Sequence, residues 1–555
     1  MTKWTVRLIQ KYIAMRSSRR YSREYHNFSE NARSRYRKYV ITGITTGGLA
    51  AVAIGSSDDK NVVLTASGLV RLVRSMKVGL TISLDYYISM LGQSEDDPNY
   101  KSKMSQIHLR CAERLRDACL QNGGTYIKLG QGLVSLSHIL PREYVSTLKV
   151  LQDKCLCRNN EELYEVFKED FGKSPEDIFE TFDCNPIAAA SIAQVFEATT
   201  KQGKKVAVKV QYNDLQKRLN GDIMTINLLL KIGTWFHPKV DFTWILNDFE
   251  EALKQELDFV NEGRNGERCA KDLSHFNYIH VPRVLWEYTN TRVLVTEFIE
   301  GIKISDTAKL KKEGFSLVDI NYKLFETFGY QIFQTGFVHA DPHPGNVLVR
   351  KCNGQTELVI LDHGLYQTTT KEERMALSHF WKAIVLANHD NMKTYSKSLG
   401  VDDYIMLAEV ITQSPLRSTN FKLKQKLNKD EEDYMAKVAG ERFDMIVNCL
   451  QQMPRSLLLI VRNLNTIRAI SYDHGCPIDR YAVLARMATK ASFQTHGKGI
   501  LKKALVYPQK VWFETNLFII RIVTFWRMLI LDVLHKMGLA PDVRAIMKEV
   551  AYEFQ

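Results

Sequence analysis

The feature that most constrains the fold is a polar loop between two apolar runs, FVHADPHPGNVLV, at residues 337–349. The flanking runs predict that the loop is seated in a hydrophobic core. Pro342 and Pro344 fix φ and stiffen the turn, and Gly345 permits close approach of the backbone. Three interpretations fit this composition: a metal site built on the histidines, a tight turn in a core, or the catalytic loop of a phosphoryl-transfer enzyme.

The chain around this loop predicts an α+β protein, and its 555 residues are enough for more than one structural unit. Apolar and polar residues alternate at 193–198 and 205–211, which predicts a β-hairpin. Further strands are predicted at 280–286, 291–298 and 358–362. Helices are predicted at 61–150, 160–184 (as two), 214–232, 243–265, 316–335 and throughout the chain after 371. A small β unit followed by a helical unit is the order of the two-lobed, protein-kinase-like fold.

The predicted organisation has six segments. They are a mitochondrial targeting arm at 1–38, a transmembrane helix at 39–55, a helical extension at 56–150, an N-lobe at 151–300, a C-lobe at 301–480 and C-terminal helices at 481–555.

Three motifs together favour the phosphoryl-transfer interpretation. Asp341 and Asn346 are separated by four residues as D-x-x-x-x-N, so that one loop can present both to a phosphate. In kinases, the Asp accepts the proton of the attacking hydroxyl or orients it, and the Asn binds Mg²⁺. Asp362 ends a predicted strand and begins Asp-His-Gly, the position of the second Mg²⁺ ligand in D-F-G. Lys209, in VAVKV, matches the strand lysine that contacts the nucleotide.

The metal interpretation of His339 and His343 is weaker. A zinc site would need a third ligand at a sensible spacing, and the sequence offers none. The oxygens of Asn346 and Asp362 instead suit Mg²⁺, which prefers hard ligands and takes others from phosphates and water. We therefore expect both histidines either to pack in the loop or to support the ligand residues from behind.

Five motifs, in order along roughly residues 100–480, resemble those of the UbiB/AarF family of atypical kinases. They are K-x-G-Q at 128–131, an alanine-rich loop at 188–195, E-x-D at 256–258, the loop from His339 to Asn346, and Asp-His-Gly-Leu-Tyr at 362–366. The resemblance implies an atypical kinase or ATPase that uses ATP or ADP with Mg²⁺. The nucleotide-binding residues it implies are Ala188, Ala189, Ala190, Ser191, Ile192, Ala193, Gln194, Val195, Lys209, Glu256, Glu262, Lys128 and Gln131.

The alanine-rich loop differs from the glycine-rich phosphate loop of ordinary kinases. Residues 187–196 contain no glycine, and each Cβ restricts φ and ψ and limits how closely the backbone can approach a phosphate. In the family, this loop is associated with altered nucleotide preference and restrained kinase activity. We expect the nucleotide to be held differently here.

The K-x-G-Q element is expected on a helix, where Lys128 and Gln131 share a face. It is either a glycine-rich contact between helices or, as the resemblance implies, a helix over the active site that obstructs protein substrates. The partner of Lys209 is left open. Glu256, Asp258 and Glu262 are predicted to lie on one helix, and either glutamate could pair with the lysine.

The net charge of +13 is concentrated at the N-terminus, where residues 1–40 hold eleven Lys or Arg and two acidic residues. This distribution disfavours a nucleic-acid binder, in which the folded domain carries the positive charge. An Arg- and Ser-rich arm with helical apolar spacing is typical of a mitochondrial presequence, although a solvated basic helix also fits. The uncharged residues 39–55 fit a short membrane span or a buried helix. A span would leave the domain facing the intermembrane space.

The nine cysteines are scattered and predict neither a disulfide framework nor a zinc site. Residues 511–534 are apolar but interrupted by charges, and fit either a core helix or an interfacial helix that contacts membrane or protein partners. The resulting hypothesis is an inner-membrane enzyme acting on a lipid or small-molecule acceptor, linked by resemblance to lipid or ubiquinone homeostasis and membrane organisation. The alternatives are a conventional Ser/Thr protein kinase and a nucleotide-switched pseudokinase scaffold.

Overall fold

The computed structural model describes residues 66–90, 97, 99–135, 140–153, 160–189, 192–213, 215–236, 243–414 and 443–494, with single positions between 511 and 530. The predicted targeting arm and the predicted span at 39–55 lie outside these residues, as does most of 511–534. Among the described residues, no helix combines the length and apolar character needed to cross a membrane.

The helices before the main sheet are α1 (Ala66–Met90), α2 (Tyr100–Asn122), α3 (Gly124–Ser135), α4 (Arg142–Leu148), α5 (Val150–Asp153), α6 (Asn160–Phe171) and α7 (Pro175–Ile178). The helices that follow are α8 (Leu215–Phe236), α9 (Thr243–Glu256), α10 (Phe259–Asp272), α11 (Thr307–Lys312), α12 (Leu317–Tyr330), α13 (Lys371–Val385), α14 (His389–Ser398), α15 (Tyr404–Thr412), α16 (Phe443–Gln452), α17 (Arg455–Asp473) and α18 (Arg480–Gln494).

The strands are β1 (Thr181–Phe182), β2 (Ala188–Ala189), β3 (Ala193–Thr199), β4 (Lys205–Gln211), β5 (Ile279–His280), β6 (Val293–Glu297), β7 (Ile302–Lys303), β8 (Phe337–His339), β9 (Val347–Cys352), β10 (Gln355–Ile360) and β11 (Tyr366–Thr368).

The described residues fall into two compact units, one within 1–107 and 217–241 and the other within 108–216 and 242–555. In the first unit, α1 and the part of α8 within it are joined by a buried ion pair, Arg71 Nε to Asp222 Oδ1 at 2.9 Å. The second unit contains both lobes of the kinase-like fold and all the strands.

The N-lobe is built on an antiparallel sheet in the order β1-β3-β4-β6, with β2 also paired to β3. The predicted hairpin is confirmed: β3 and β4 pair from Ala193 opposite Gln211 to Thr199 opposite Lys205. Their apolar alternation puts Phe196 and Val208 into a core with Phe167 of α6. One face of the sheet is thereby buried.

The C-lobe is mainly helical and has a large apolar core. Its largest buried side chains include Phe328 and Phe333, before the polar loop, and Trp381 of α13. The order β5-β10-β9-β7 forms one small sheet, and β8 pairs with β11 in another. Strands β8, β9 and β10 therefore fix the polar loop and the residues after 360 on the C-lobe core.

Three predicted elements are shorter in the structure than expected. The predicted second helix within 160–184 is only the four-residue α7, and β1 follows it. The strand predicted at 280–286 is the two-residue β5, because Pro282 lacks the N–H that a ladder needs. The strand predicted at 291–298 is confirmed in its central part, as β6.

The predicted helix 243–265 is two helices, and the break changes the meaning of the E-x-D element. Glu256 ends α9, whereas Asp258 caps α10 by accepting hydrogen bonds from the backbone N–H groups of Val260 and Asn261 at 3.0 and 3.3 Å. An aspartate in this position satisfies N–H groups that have no partner inside the helix. Glu256 and Glu262 therefore lie on different helices.

Candidate active site

Lys209 pairs with Glu262, which answers the question that the sequence left open. Its Nζ lies 2.7 Å from Oε1 and 2.9 Å from Oε2 of Glu262, and both side chains are largely buried. Lys209 is on β4 between the core residues Val208 and Val210, while Glu262 is in the first turn of α10. Burial opposes the charge of Lys209, but Asp362 and Glu262 outweigh it and raise the lysine pKa.

The helix that carries Glu262 also packs on the Asp-His-Gly segment. Asn265 Nδ2 donates to the carbonyl oxygen of His363 at 3.1 Å, and a Cβ on Gly266 would meet the His363 ring at 3.3 Å. The absence of a side chain at Gly266 permits this approach. Helix α10 thus links the strand lysine to Asp362.

Glu256 has a different cation. Its Oε2 lies 2.6 Å from Nζ of Lys128 on α3, and both side chains are mostly buried. Burial alone would lower the pKa of Lys128. The nearby carboxylates of Glu256 and Asp341 outweigh this effect and raise the pKa above its ordinary value, so the ammonium remains charged. Glu256 therefore pairs with Lys128, and Glu262 pairs with Lys209.

Gln131 does not share the environment of Lys128. Its Nε2 donates to the backbone oxygen of Leu151 at 2.8 Å and so joins α3 to α5. A Cβ on Gly130 would overlap the Leu151 side chain, so this glycine permits the close packing of the two helices. Lys128 therefore reaches the site, as the resemblance implied, whereas Gln131 does not and instead joins Gly130 in the contact between helices.

The polar loop is shaped by its histidines. His339 Nδ1 accepts from the backbone N–H of Asp341 at 3.1 Å, and His343 Nδ1 accepts from that of Gly345 at 3.2 Å. Burial lowers the pKa of His339, which favours its neutral form. Among the described residues, no group of three or more His, Cys, Asp or Glu could hold a metal ion. The histidines therefore shape the loop.

His363, which stands where D-F-G has Phe, is also a packing group. It is buried, its Nδ1 lies 2.9 Å from the Tyr366 hydroxyl and its Nε2 lies 3.1 Å from the Ile360 oxygen. Burial lowers its pKa to about 3, so the ring is neutral at physiological pH. An imidazole with both nitrogens bound can replace a phenyl ring in the core.

Asn346 and Asp362 are brought together as the sequence predicted. Asn346 Nδ2 lies 3.2 Å from Asp362 Oδ2, and the Gly364 N–H donates to Asp362 Oδ1 at 2.9 Å. Burial opposes ionisation of Asp362, but Lys209, 3.9 Å away, and the Gly364 N–H hold its pKa below the ordinary value. The Asn346 amide turns its nitrogen to this carboxylate, and its oxygen together with the charged Asp362 would supply the hard oxygen ligands that Mg²⁺ prefers.

Asp341 has a partner that the sequence analysis missed. Arg462 Nη2, on α17, donates to Asp341 Oδ2 at 2.7 Å. Burial opposes ionisation of Asp341, but Arg462 first and Lys128 second hold the aspartate pKa below its ordinary value. The two residues are 121 positions apart, and the sequence around Arg462 has no local pattern that marks a site.

The alanine-rich loop begins as a short strand. Ala188 pairs with Val195 and Ala189 with Gln194, while Ile192, Ala193 and Gln194 are buried. Two predicted binding residues, Ala190 and Ser191, lie outside the described residues.

Comparison with known proteins shows the family of the chain. Residues 150–396 match the ABC1 atypical kinase-like domain. A Dictyostelium discoideum protein named probable serine/threonine-protein kinase abkD is 39% identical to this chain. The match covers 81% of this chain and 65% of the length of the Dictyostelium protein. Proteins named AarF domain-containing protein kinase 1 from Gallus gallus and Mus musculus are 37% and 38% identical, over 73% and 74% of this chain and 78% of each relative.

The chain therefore belongs to the ABC1/AarF family of atypical kinases. This confirms the resemblance and the kinase-like α+β fold.

Glu262→Gln and Glu256→Gln form a matched pair that tests the assignment of the two lysines. Glu262→Gln should weaken binding of Mg-ADP by about tenfold or more, because Lys209 loses a charge-assisted hydrogen-bond partner. Glu256→Gln should change it by less than about threefold, because the Lys209–Glu262 pair remains. Isothermal titration calorimetry measures both. A larger effect of Glu256→Gln would contradict the assignment.

Proposed function

We propose that this protein binds Mg-nucleotide and transfers the γ-phosphoryl group of ATP to water or to a small or lipid-like acceptor. The observation that carries the proposal is the assembly of Lys209, Glu262, Asn346, Asp362 and Asp341 in one site of a kinase-like fold. Phosphoryl transfer needs positioned charges more than covalent participation by the protein, and these residues supply them.

Each residue has a role that follows from its place. Lys209, fixed by Glu262, is the cation for the nucleotide phosphates, and Asn346 and Asp362 would hold Mg²⁺. When bound, Mg²⁺ neutralises charge on the phosphate oxygens. Asp341 orients the attacking hydroxyl. The acceptor oxygen bonds to the γ-phosphorus, the bond to the β,γ-bridging oxygen breaks, ADP leaves with that electron pair, and the acceptor's proton goes to Asp341 or to solvent.

The contacts around Asp341 favour a small acceptor over a protein substrate. Lys128 of α3 is close enough to Asp341 to affect its pKa, and Arg462 occupies one of its oxygens. An extended peptide would have to reach Asp341 past both side chains. The alanine-rich strand β2 adds side chains where ordinary kinases have glycine. A conventional Ser/Thr protein kinase is therefore the less favoured candidate, and the complete set of polar residues disfavours a scaffold without catalysis.

We further propose that the protein acts at the mitochondrial inner membrane, in lipid or ubiquinone homeostasis or membrane organisation. Support comes from the basic N-terminal arm, the uncharged residues 39–55 and the family resemblance. The basic flank is expected in the matrix and the domain in the intermembrane space.

Protease treatment of mitochondria and of mitoplasts tests this location. We expect the domain to be protected in intact mitochondria and to be degraded once the outer membrane is opened, because it would face the intermembrane space. A matrix protein serves as the protected control. A domain that stays protected in mitoplasts and is degraded only after detergent treatment would contradict the orientation.

ATP turnover by the full-length protein tests the catalytic proposal. Asp341→Asn should lower turnover about 100-fold or more while Mg-ADP binding is retained, because the amide cannot accept the hydroxyl proton. The pKa of Asp341 lies below its ordinary value, so in the wild type its protonation should not reduce turnover until the pH falls below about 4. The assay is run with and without lipid vesicles. Tight nucleotide binding without turnover in either condition would favour the scaffold.

A further inference from the structure

Arg462 is the one cation described at the site that contacts Asp341 directly. Its Nη2 lies 2.7 Å from Asp341 Oδ2, with 19% of the arginine side chain and 27% of the aspartate side chain exposed. The pair is therefore sheltered but reachable from solvent.

The position of Arg462 is fixed by its neighbour in sequence. Asn463, which is fully buried, donates through Nδ2 to the backbone oxygen of His339 at 2.6 Å and so attaches α17 to the polar loop. This contact holds the helix in place without the arginine. Helix α17, attached to the loop in this way, carries the Arg462 guanidinium to Asp341.

The ion pairs of the site separate into a nucleotide side and an acceptor side. Lys209 pairs with Glu262 and lies 3.9 Å from Asp362, so its charge is directed to the predicted Mg-nucleotide. Arg462 is paired with the residue that orients the attacking hydroxyl, and Lys128 also acts on that residue electrostatically. Asp341 therefore lies between two cations, Arg462 in direct contact and Lys128, which is itself paired with Glu256.

A cation beside Asp341 does not help the aspartate to remove a proton, because it stabilises the carboxylate. The arrangement is better explained by recognition of an anion. Arginine presents planar N–H donors that match a phosphate in a bidentate contact, which lysine cannot reproduce. Arg462 Nε is buried and has no hydrogen-bond acceptor among the described residues, so the side chain retains an unused donor.

We propose that Arg462 binds a phosphate group carried by the acceptor and thereby selects phosphate-bearing alcohols over neutral ones. The inference rests on the proposed phosphoryl-transfer function and specifies its acceptor. In the acceptor complex, the guanidinium donates to this phosphate, and the Asp341 carboxylate is left to orient the adjacent hydroxyl. The phosphate belongs either to a soluble phosphomonoester or to a lipid headgroup.

Direct binding to the full-length protein tests the proposal without relying on turnover. Calorimetry with glycerol 3-phosphate and inorganic phosphate is performed in saturating Mg-ADP, with glycerol as the neutral probe. We expect Arg462→Gln to weaken glycerol 3-phosphate binding by about tenfold or more, and Arg462→Lys to restore part of it. The control is Arg455→Gln, on the same helix, where the arginine is ion-paired with Glu251. This variant should bind glycerol 3-phosphate like the wild type.

Mg-ADP affinity shows whether each variant retains a folded nucleotide site. The inference would be overturned if the wild type and Arg462→Gln bound glycerol 3-phosphate with equal affinity while Mg-ADP binding was intact. It would also be overturned if the wild type bound glycerol as tightly as glycerol 3-phosphate. Failure of the wild type to bind Mg-ADP would instead overturn the proposed function. Short-chain lysophosphatidic acid, which keeps a free hydroxyl beside its phosphate, is compared with the matching monoacylglycerol to distinguish the two sources. If the lipid probe binds more tightly than glycerol 3-phosphate and this binding depends on Arg462, the phosphate belongs to a lipid headgroup. If the two probes bind equally tightly, the phosphate belongs to a soluble phosphomonoester.

Discussion

The ion pair between Lys209 and Glu262 is the interaction on which the rest of the site depends. It joins the central sheet to α10 through two largely buried side chains, and removal of one partner from a buried pair costs about 3–5 kcal/mol. Helix α10 in turn contacts His363, so the same pair fixes the distance from the strand lysine to Asp362. Without this ion pair, Lys209 and Asp362 would not be held at a fixed distance from each other.

The other charges of the site are arranged around this pair. Glu256 balances Lys128, and Asp341 balances Arg462, so three of the four carboxylates each have a dedicated cation. Asp362 differs, because it lies beside the Asn346 amide and shares Lys209 at 3.9 Å. It is the carboxylate best placed to accept a further cation, which is the reason to assign Mg²⁺ to it.

The sequence predicted the parts of the site that depend on local pattern. The β-hairpin positions Lys209, and the apolar runs on both sides of the polar loop position Asp341 and Asn346. Apolar periodicity wrongly predicted one continuous helix through Asp258. This residue instead caps a second helix, and the cap separates the two apolar patterns. Periodicity could not reveal Arg462, since an ion pair between residues far apart in the chain leaves no local signature.

Nucleotide-dependent binding of Mn²⁺ tests the central claim most directly, because Mn²⁺ can replace Mg²⁺ at oxygen ligands and is detected by electron paramagnetic resonance. The account predicts a bound Mn²⁺ signal in the wild type with ADP, weaker in Asn346→Ala and lost in Asp362→Asn. It also predicts that Asp341→Asn keeps the signal. Nucleotide-dependent Mn²⁺ binding of wild-type strength in Asp362→Asn would contradict the account.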